Sequence, residues 1–72
     1  MKVYERIFAY INENGIDPDL VAREAGLSYD VFRSMLEGKR ILYSDQLRAI
    51  CIALNVSPEL FVKPENLPRA VS

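Results

Sequence analysis

Apolar residues recur every three or four positions along most of the chain, which is the spacing of helices that bury one face. The first such pattern predicts a helix from residue 3 to residue 14. Its apolar side comprises Val3, Tyr4, Ile7, Phe8 and Ile11. Asn14 and Gly15 are expected to end it, because glycine readily adopts the left-handed conformation found just past a helix.

Two short helices are predicted next, each opened by a capping residue and closed by a glycine. The second helix begins at Asp17, whose side chain can accept from free amides, followed by Pro18, which has no amide to lose. It closes at Gly26, and its expected inner side is Leu20, Val21 and Ala25. The third helix begins at Ser28 and closes at Gly38, with an apolar stripe of Val31, Phe32, Met35 and Leu36. Two short helices joined by a glycine-containing turn form a helix-turn-helix unit.

A loop at residues 38–43 leads to a fourth helix, expected to start after Ser44 and to end at Asn55. Its core positions are Leu47, Ile50, Cys51 and Leu54. Ser57 and Pro58 then predict a short fifth helix carrying Leu60 and Phe61, which Pro64 limits. No segment has the pattern of a strand. The sequence therefore predicts an all-α, compact five-helix domain over residues 1–63, followed by an irregular tail over residues 64–72.

The composition narrows the class of protein. A length of 72 residues fits one small domain, and nine basic against ten acidic residues give a net charge of −1. The pI near 5.3 is unlike that of most nucleic-acid-binding domains, which exceeds about 9, although a local basic patch remains compatible with it. No apolar run reaches the roughly 20 residues that span a bilayer, and the N-terminal residues lack a signal-peptide core. A cytoplasmic location is expected.

Few residues suit catalysis or metal binding. The chain has one cysteine, Cys51, and no histidine, so an internal disulfide, a usual zinc site and the commonest general base are all excluded. Cys51 lies in the apolar run AICIAL and is expected to be a buried small hydrophobe. Without a nucleophile–base pair or a glycine-rich phosphate loop, we expect no enzymatic activity, no cofactor and no small-molecule ligand.

The stretch LVAREAGLSYDVFRSMLEGKR, followed by LRAICIALNVSPELF, resembles the lambda-repressor-like, Cro-type (XRE) helix-turn-helix family of small phage- or mobile-element-type regulators. The spacing of Ala22, Gly26 and Ser28, the GKR after the third helix and the ending ALNVSPELF carry the resemblance, which covers residues 16–61. It implies that the second and third helices form the helix-turn-helix. It also implies that the third helix enters the DNA major groove.

The resemblance assigns roles to residues of the third helix and the loop after it. The base-reading positions it implies are Tyr29, Asp30, Arg33 and Ser34. The phosphate-facing positions it implies are Ser28, Lys39 and Arg40, with Glu37 at the helix end. Arg33 can contact guanine through two hydrogen bonds. Asp30 can accept from a cytosine amino group, pair with Arg33 three residues on, or serve only as a helix-start charge favoured by the dipole.

Other positions depart from the family pattern. Pro18 stands where many members place a phosphate-binding glutamine, so that contact is lost. Ile11 and Leu36 stand where some repressors bury an Arg–Glu pair, an apolar replacement that is often neutral or stabilising. Glu37 is expected to face the region of a phosphate.

Two classes of function remain open at this stage. The first is a sequence-specific transcriptional regulator, expected to be a repressor, that binds a double-stranded operator as a homodimer on half-sites about 34 Å apart. The alternative is a protein-interaction module or an antitoxin that keeps the helix-turn-helix fold with weak or no DNA binding. The acidic pI, Pro18, Asp30 and Glu37 motivate this alternative.

Overall fold

Short turns and loops join the helical elements of the described part of the chain. The computed structural model describes residues 2–68, apart from the side chain of Pro64. It contains four α-helices and two 3-10 turns: α1 (Val3–Glu13), α2 (Pro18–Glu24), α3 (Tyr29–Leu36), α4 (Ser44–Leu54), Pro58–Leu60 and Pro64–Asn66. No strand occurs within residues 2–68, so the all-α prediction is confirmed there. Among residues 2–68, each helix is too short or too polar to span a lipid bilayer.

The predicted fifth helix is present only as a short 3-10 turn, so residues 2–68 form four α-helices and not five. The segment after α4 forms a single 3-10 turn at Pro58–Leu60, capped by Ser57, whose Oγ accepts from the amide of Glu59 at 3.4 Å. Ser57 thus caps this turn as predicted, but the helix does not continue. Pro64 disfavours helical backbone at the residue before it, which leaves too little chain for a second turn.

The start of α4 also differs from the prediction by one residue. Tyr43 occupies the N-cap position with extended backbone, and Ser44 is the first helical residue. Ser44 is buried, and its amide donates to the carbonyl of Pro68 at 2.8 Å. The amide of Tyr43 donates to Gln46 Oε1 at 3.0 Å. The backbone amide of Ser44 thus links α4 to the C-terminal segment at Pro68. Ser44 does not cap the helix.

The core lies where all four helices meet. α2 packs against both α3 and α4, and α1 packs against α3. The buried apolar residues are Ile7, Ile11, Val21, Ala22, Phe32, Met35, Leu42, Leu47, Ile50, Cys51, Leu54 and Phe61. Phe61 extends this core to the first 3-10 turn, where its ring meets Tyr10 edge-on with the centroids 5.8 Å apart.

Two residues assigned to inner faces are exposed. Leu20 is 46% exposed, because α2 buries Val21 and Ala22, and at about 100° per residue Leu20 lies on the opposite side of that pair. Phe8 is 48% exposed, at the edge of the face that carries Ile7 and Ile11. Both side chains therefore contribute apolar area to the surface of the domain.

Part of the predicted irregular tail is ordered. Pro64–Asn66 forms a second 3-10 turn against α4, and Leu67 packs on the core. Residues 69–72 of the predicted tail lie outside the described residues. The division of the chain after residue 63 stays a prediction.

Candidate nucleic-acid interface

The turn between α2 and α3 fixes the geometry of the interface. Gly26 has φ +73, a left-handed conformation that glycine adopts without the steric cost a side chain brings. The amide of Leu27 donates back to the carbonyl of Ala22 at 2.9 Å, and its side chain packs on the core. Ser28 then caps α3, its Oγ accepting from the amide of Val31 at 3.2 Å. The two helices are thereby held as a helix-turn-helix, as the sequence predicted.

α3 has one buried side and one exposed side. Phe32 and Met35 are fully buried and hold the helix against the core. Four residues were predicted to form the reading surface: Tyr29, Asp30, Arg33 and Ser34. The first three are exposed, whereas Ser34 is only half-exposed. The structure therefore groups the candidate base-reading residues on one outer side of α3, with Ser34 at its margin.

One carboxylate joins two of the candidate cations. Glu37 Oε2 lies 3.4 Å from Arg33 Nε, and Glu37 Oε1 lies 3.4 Å from Lys39 Nζ. The side chains of Arg33, Glu37 and Lys39 are 63%, 41% and 73% exposed, so this cluster is solvated. Within the described residues the ion-pair partner of Arg33 is Glu37 and not Asp30, which overturns the alternative of an Asp30–Arg33 pair.

The same cluster stabilises the ionised form of Glu37. The nearby charge of Lys39 and its hydrogen bond, followed by the hydrogen bond from Arg33, lower the pKa of the Glu37 carboxyl below its ordinary value. A carboxyl with a lowered pKa holds its charge at neutral pH and loses it only as the pH falls well into the acid range. The cluster thus carries a net charge of about +1 at neutral pH rather than +2.

Arg40 has different neighbours from Lys39. It is exposed and lines a cavity of about 300 Å³ together with Lys2, Tyr4 and Pro68, among others. The two adjacent cations of the loop, although predicted as one phosphate-facing pair, therefore have separate surroundings. Lys39 belongs to the Glu37 cluster, whereas Arg40 lies beside the start of α1 and the tail segment.

A mostly apolar groove runs beside α3, and sequence reasoning did not find it. Its volume is about 380 Å³, and its lining residues are Phe8, Pro18, Tyr29, Phe32, Arg33, Leu36 and Glu37. These side chains come from α1, α2 and α3, so periodicity within one helix gave no sign that they meet. The exposed ring of Phe8 and the outer face of α3 thus share one concave surface.

The lone cysteine takes no part in this surface. Cys51 is fully buried in α4, and burial raises the pKa of its thiol to about 11. The thiol is therefore neutral at ordinary pH, and Cys51 packs as a small apolar residue. The expectation of a buried hydrophobe is confirmed.

Comparison with known proteins gives one match. A family model described as a Cro/C1-type HTH DNA-binding domain matches residues 6–64. The match begins within α1 and runs through the helix-turn-helix to the second 3-10 turn. No curated protein and no solved structure matches the chain.

Proposed function

The chain belongs to the Cro/C1-type HTH DNA-binding domain family, and from that premise we propose that it is a sequence-specific transcriptional regulator. It binds an operator in double-stranded DNA through α3, which enters the major groove, and acts as a repressor by occupying that operator. The observation that carries the proposal is the family match across the whole helix-turn-helix, together with the exposed polar side of α3.

Arg33 is the proposed principal base-reading residue. Its Nε takes part in the pair with Glu37, so Nη1 and Nη2 are the groups available for guanine O6 and N7. Tyr29 donates to a base edge or a phosphate, Asp30 accepts from a cytosine amino group, and Ser34 contacts the DNA from the margin of the surface. These assignments come from the family resemblance and are compatible with the exposure of each residue.

The proposed phosphate contacts flank this surface. Ser28 and the first-turn amides of α3 form one contact, since the free amides at a helix start favour an anion. Lys39 and Arg40 form the others, and such contacts position the protein without reading sequence. Their separate surroundings fit contacts to different phosphates.

The proposed active species is a homodimer. The described domain measures 33 × 23 × 21 Å, which suits one half-site, and dimers of helix-turn-helix proteins bind half-sites about 34 Å apart. The proposal describes a binding protein and not an enzyme, and it locates the protein in the cytoplasm with its DNA.

A second candidate function is a protein-interaction module or an antitoxin. The apolar groove beside α3 favours it, because an apolar concave surface can take a segment of another protein. The neutralising effect of Glu37 on the two cations also favours it. In this case the cations of the candidate interface would be dispensable for function.

Selection of bound sites from random DNA tests the proposal. We expect one enriched motif with two related half-sites. In fluorescence anisotropy at physiological salt, the chain should then bind the selected duplex about 10³-fold more tightly than a scrambled one. Equal affinity for the two duplexes would overturn the proposal and leave the interaction module as the better account.

A further inference from the structure

The side chain of Glu37 takes no part in the buried core. It follows α3 as its C-terminal cap residue, is exposed, and contacts the two cations on either side of it in the sequence. Its carboxylate is thus the one group shared by the candidate base-reading residue Arg33 and the candidate phosphate contact Lys39. Its effects on these two partners differ.

On Lys39 the effect is competition. A phosphate that binds Lys39 must replace the 3.4 Å contact with Glu37, and it meets a like charge beside that contact. Affinity for the DNA backbone does not depend on sequence and comes from the cations that displace counterions. Glu37 therefore weakens the binding of every DNA sequence by about the contribution of one cation.

On Arg33 the effect is orientation. The contact is made at Nε, which leaves the two terminal amino groups of the guanidinium for a base. A side chain held at one end loses less rotamer freedom when its other end binds, so the contact with the correct base costs less. Glu37 thereby favours the sequence-dependent part of binding.

We propose that Glu37 is a specificity-determining residue, which lowers affinity for the DNA backbone while it positions Arg33 for its base. The inference rests on the proposed function as a DNA-binding regulator. The competition at Lys39 lowers affinity for selected and random DNA alike, and the orientation of Arg33 widens the ratio between binding to the preferred sequence and binding to random DNA. Glu37 accordingly contributes to discrimination at the expense of overall affinity.

Charge removal at this position tests the inference. Glu37→Gln keeps the size of the side chain, and Glu59→Gln, at an exposed acid on the first 3-10 turn, makes the same change in net charge elsewhere. By anisotropy at low salt we expect Glu37→Gln to bind a random duplex about two- to fivefold more tightly than the wild type. Its plot of log K against log[salt] should steepen by up to about 0.9. Glu59→Gln should give a smaller change in both.

Two further variants separate the two effects. In a Lys39→Met background, Glu37→Gln should tighten binding to random DNA less than it does in the wild type, because the cation it releases is absent. Glu37→Ala removes the acceptor for Arg33 as well as the charge. In Glu37→Ala the ratio of selected to random affinity should be roughly two- to fivefold lower than in the wild type. This drop should be larger than the drop in Glu37→Gln. Circular dichroism of each variant verifies the fold.

The outcomes distinguish this inference from the proposed function. If the wild type shows no preference between the selected and random duplexes, the proposed function fails and the inference fails with it. If the wild type shows that preference and the Glu37 variants keep both its ratio and its random-DNA affinity, the inference alone fails. An unchanged ratio in Glu37→Ala would also overturn it, even if that variant binds random DNA more tightly.

Discussion

At the scale of single residues, Gly38 determines how the chain leaves α3. Its φ is +76, and a Cβ at this position would lie 2.6 Å from Cζ of Tyr4. The ring of Tyr4, on α1, therefore covers the backbone just before Lys39. The left-handed turn and the close approach of the ring both depend on the missing side chain.

Alanine substitutions at Gly38 and Gly15 should separate these two causes. Gly15 has φ +61 and open space around it, so Gly15→Ala should lower the free energy of unfolding by only about 1–2 kcal/mol, from the left-handed backbone. Gly38→Ala should cost about 1 kcal/mol more, because the Tyr4 ring must also move. Urea denaturation of both variants measures the difference, and equal losses would show that the Tyr4 contact is unimportant.

At the scale of the element, α3 is a short helix that depends on its buried side. Its eight residues are too few for an isolated helix to persist in water, so its stability comes from packing. Phe32 and Met35 are fully buried, and α3 packs against α1 and α2. The exposed side can therefore serve binding without contributing to the core.

The same substitution at two phenylalanines tests this division. Phe32→Ala should lower the free energy of unfolding by about 3–5 kcal/mol, through lost burial and the cavity it leaves. Phe8→Ala, at a side chain that is 48% exposed, should cost less than about 1.5 kcal/mol. Chemical denaturation followed by circular dichroism compares them. Similar losses at the two positions would contradict the packing described for α3.

Much of the secondary structure followed from local signals in the sequence. Asp17, Ser28 and Ser57 cap the elements they were expected to cap, because a capping hydrogen bond involves only neighbouring residues. Ser44 was misassigned because its buried position depends on Pro68, far along the chain. The predicted length of the fifth helix was wrong for a related reason. The helix-start signal at Pro58 does not show how soon the turn ends.

The candidate site was predictable only in part, for the same reason. Helical spacing placed Tyr29, Asp30 and Arg33 on the outer side of α3, as the structure has them. The pairing of Arg33 with Glu37 was missed, because Asp30 and Glu37 stand at comparable helical separations from Arg33 and spacing alone does not choose between them. The groove containing Phe8 depends on how three helices pack, which no single pattern encodes.

At the scale of the whole molecule, charge limits how strongly any DNA attracts the chain. The net charge is −1, so the protein lacks the long-range field that draws basic domains to DNA. Binding must then come from the local cations beside α3. The proposed regulator should accordingly have weak affinity for random DNA at physiological salt, with a Kd in the range of about 10⁻⁴–10⁻⁶ M.

Removal of a cation beside α3 should therefore weaken DNA binding more than removal of a cation far from α3. Lys39→Ala should weaken binding to selected and random duplexes by the same factor and reduce the salt slope by up to about 0.9, since it removes one proposed phosphate contact. Lys63→Ala, at an exposed cation outside the candidate interface, is the matched control and should change neither. A loss at Lys39 confined to the selected duplex would instead indicate a base contact.

The most direct test of the account is the effect of Arg33→Ala on binding to the selected duplex. We expect a loss of about 1–3 kcal/mol that is confined to that duplex, with relaxed preference at one base pair, because Arg33 is proposed to read a guanine. Arg48→Ala, at an exposed arginine on α4, should leave the affinity unchanged. Undiminished affinity and preference in Arg33→Ala would contradict the assignment of α3 as the helix that reads DNA through Arg33.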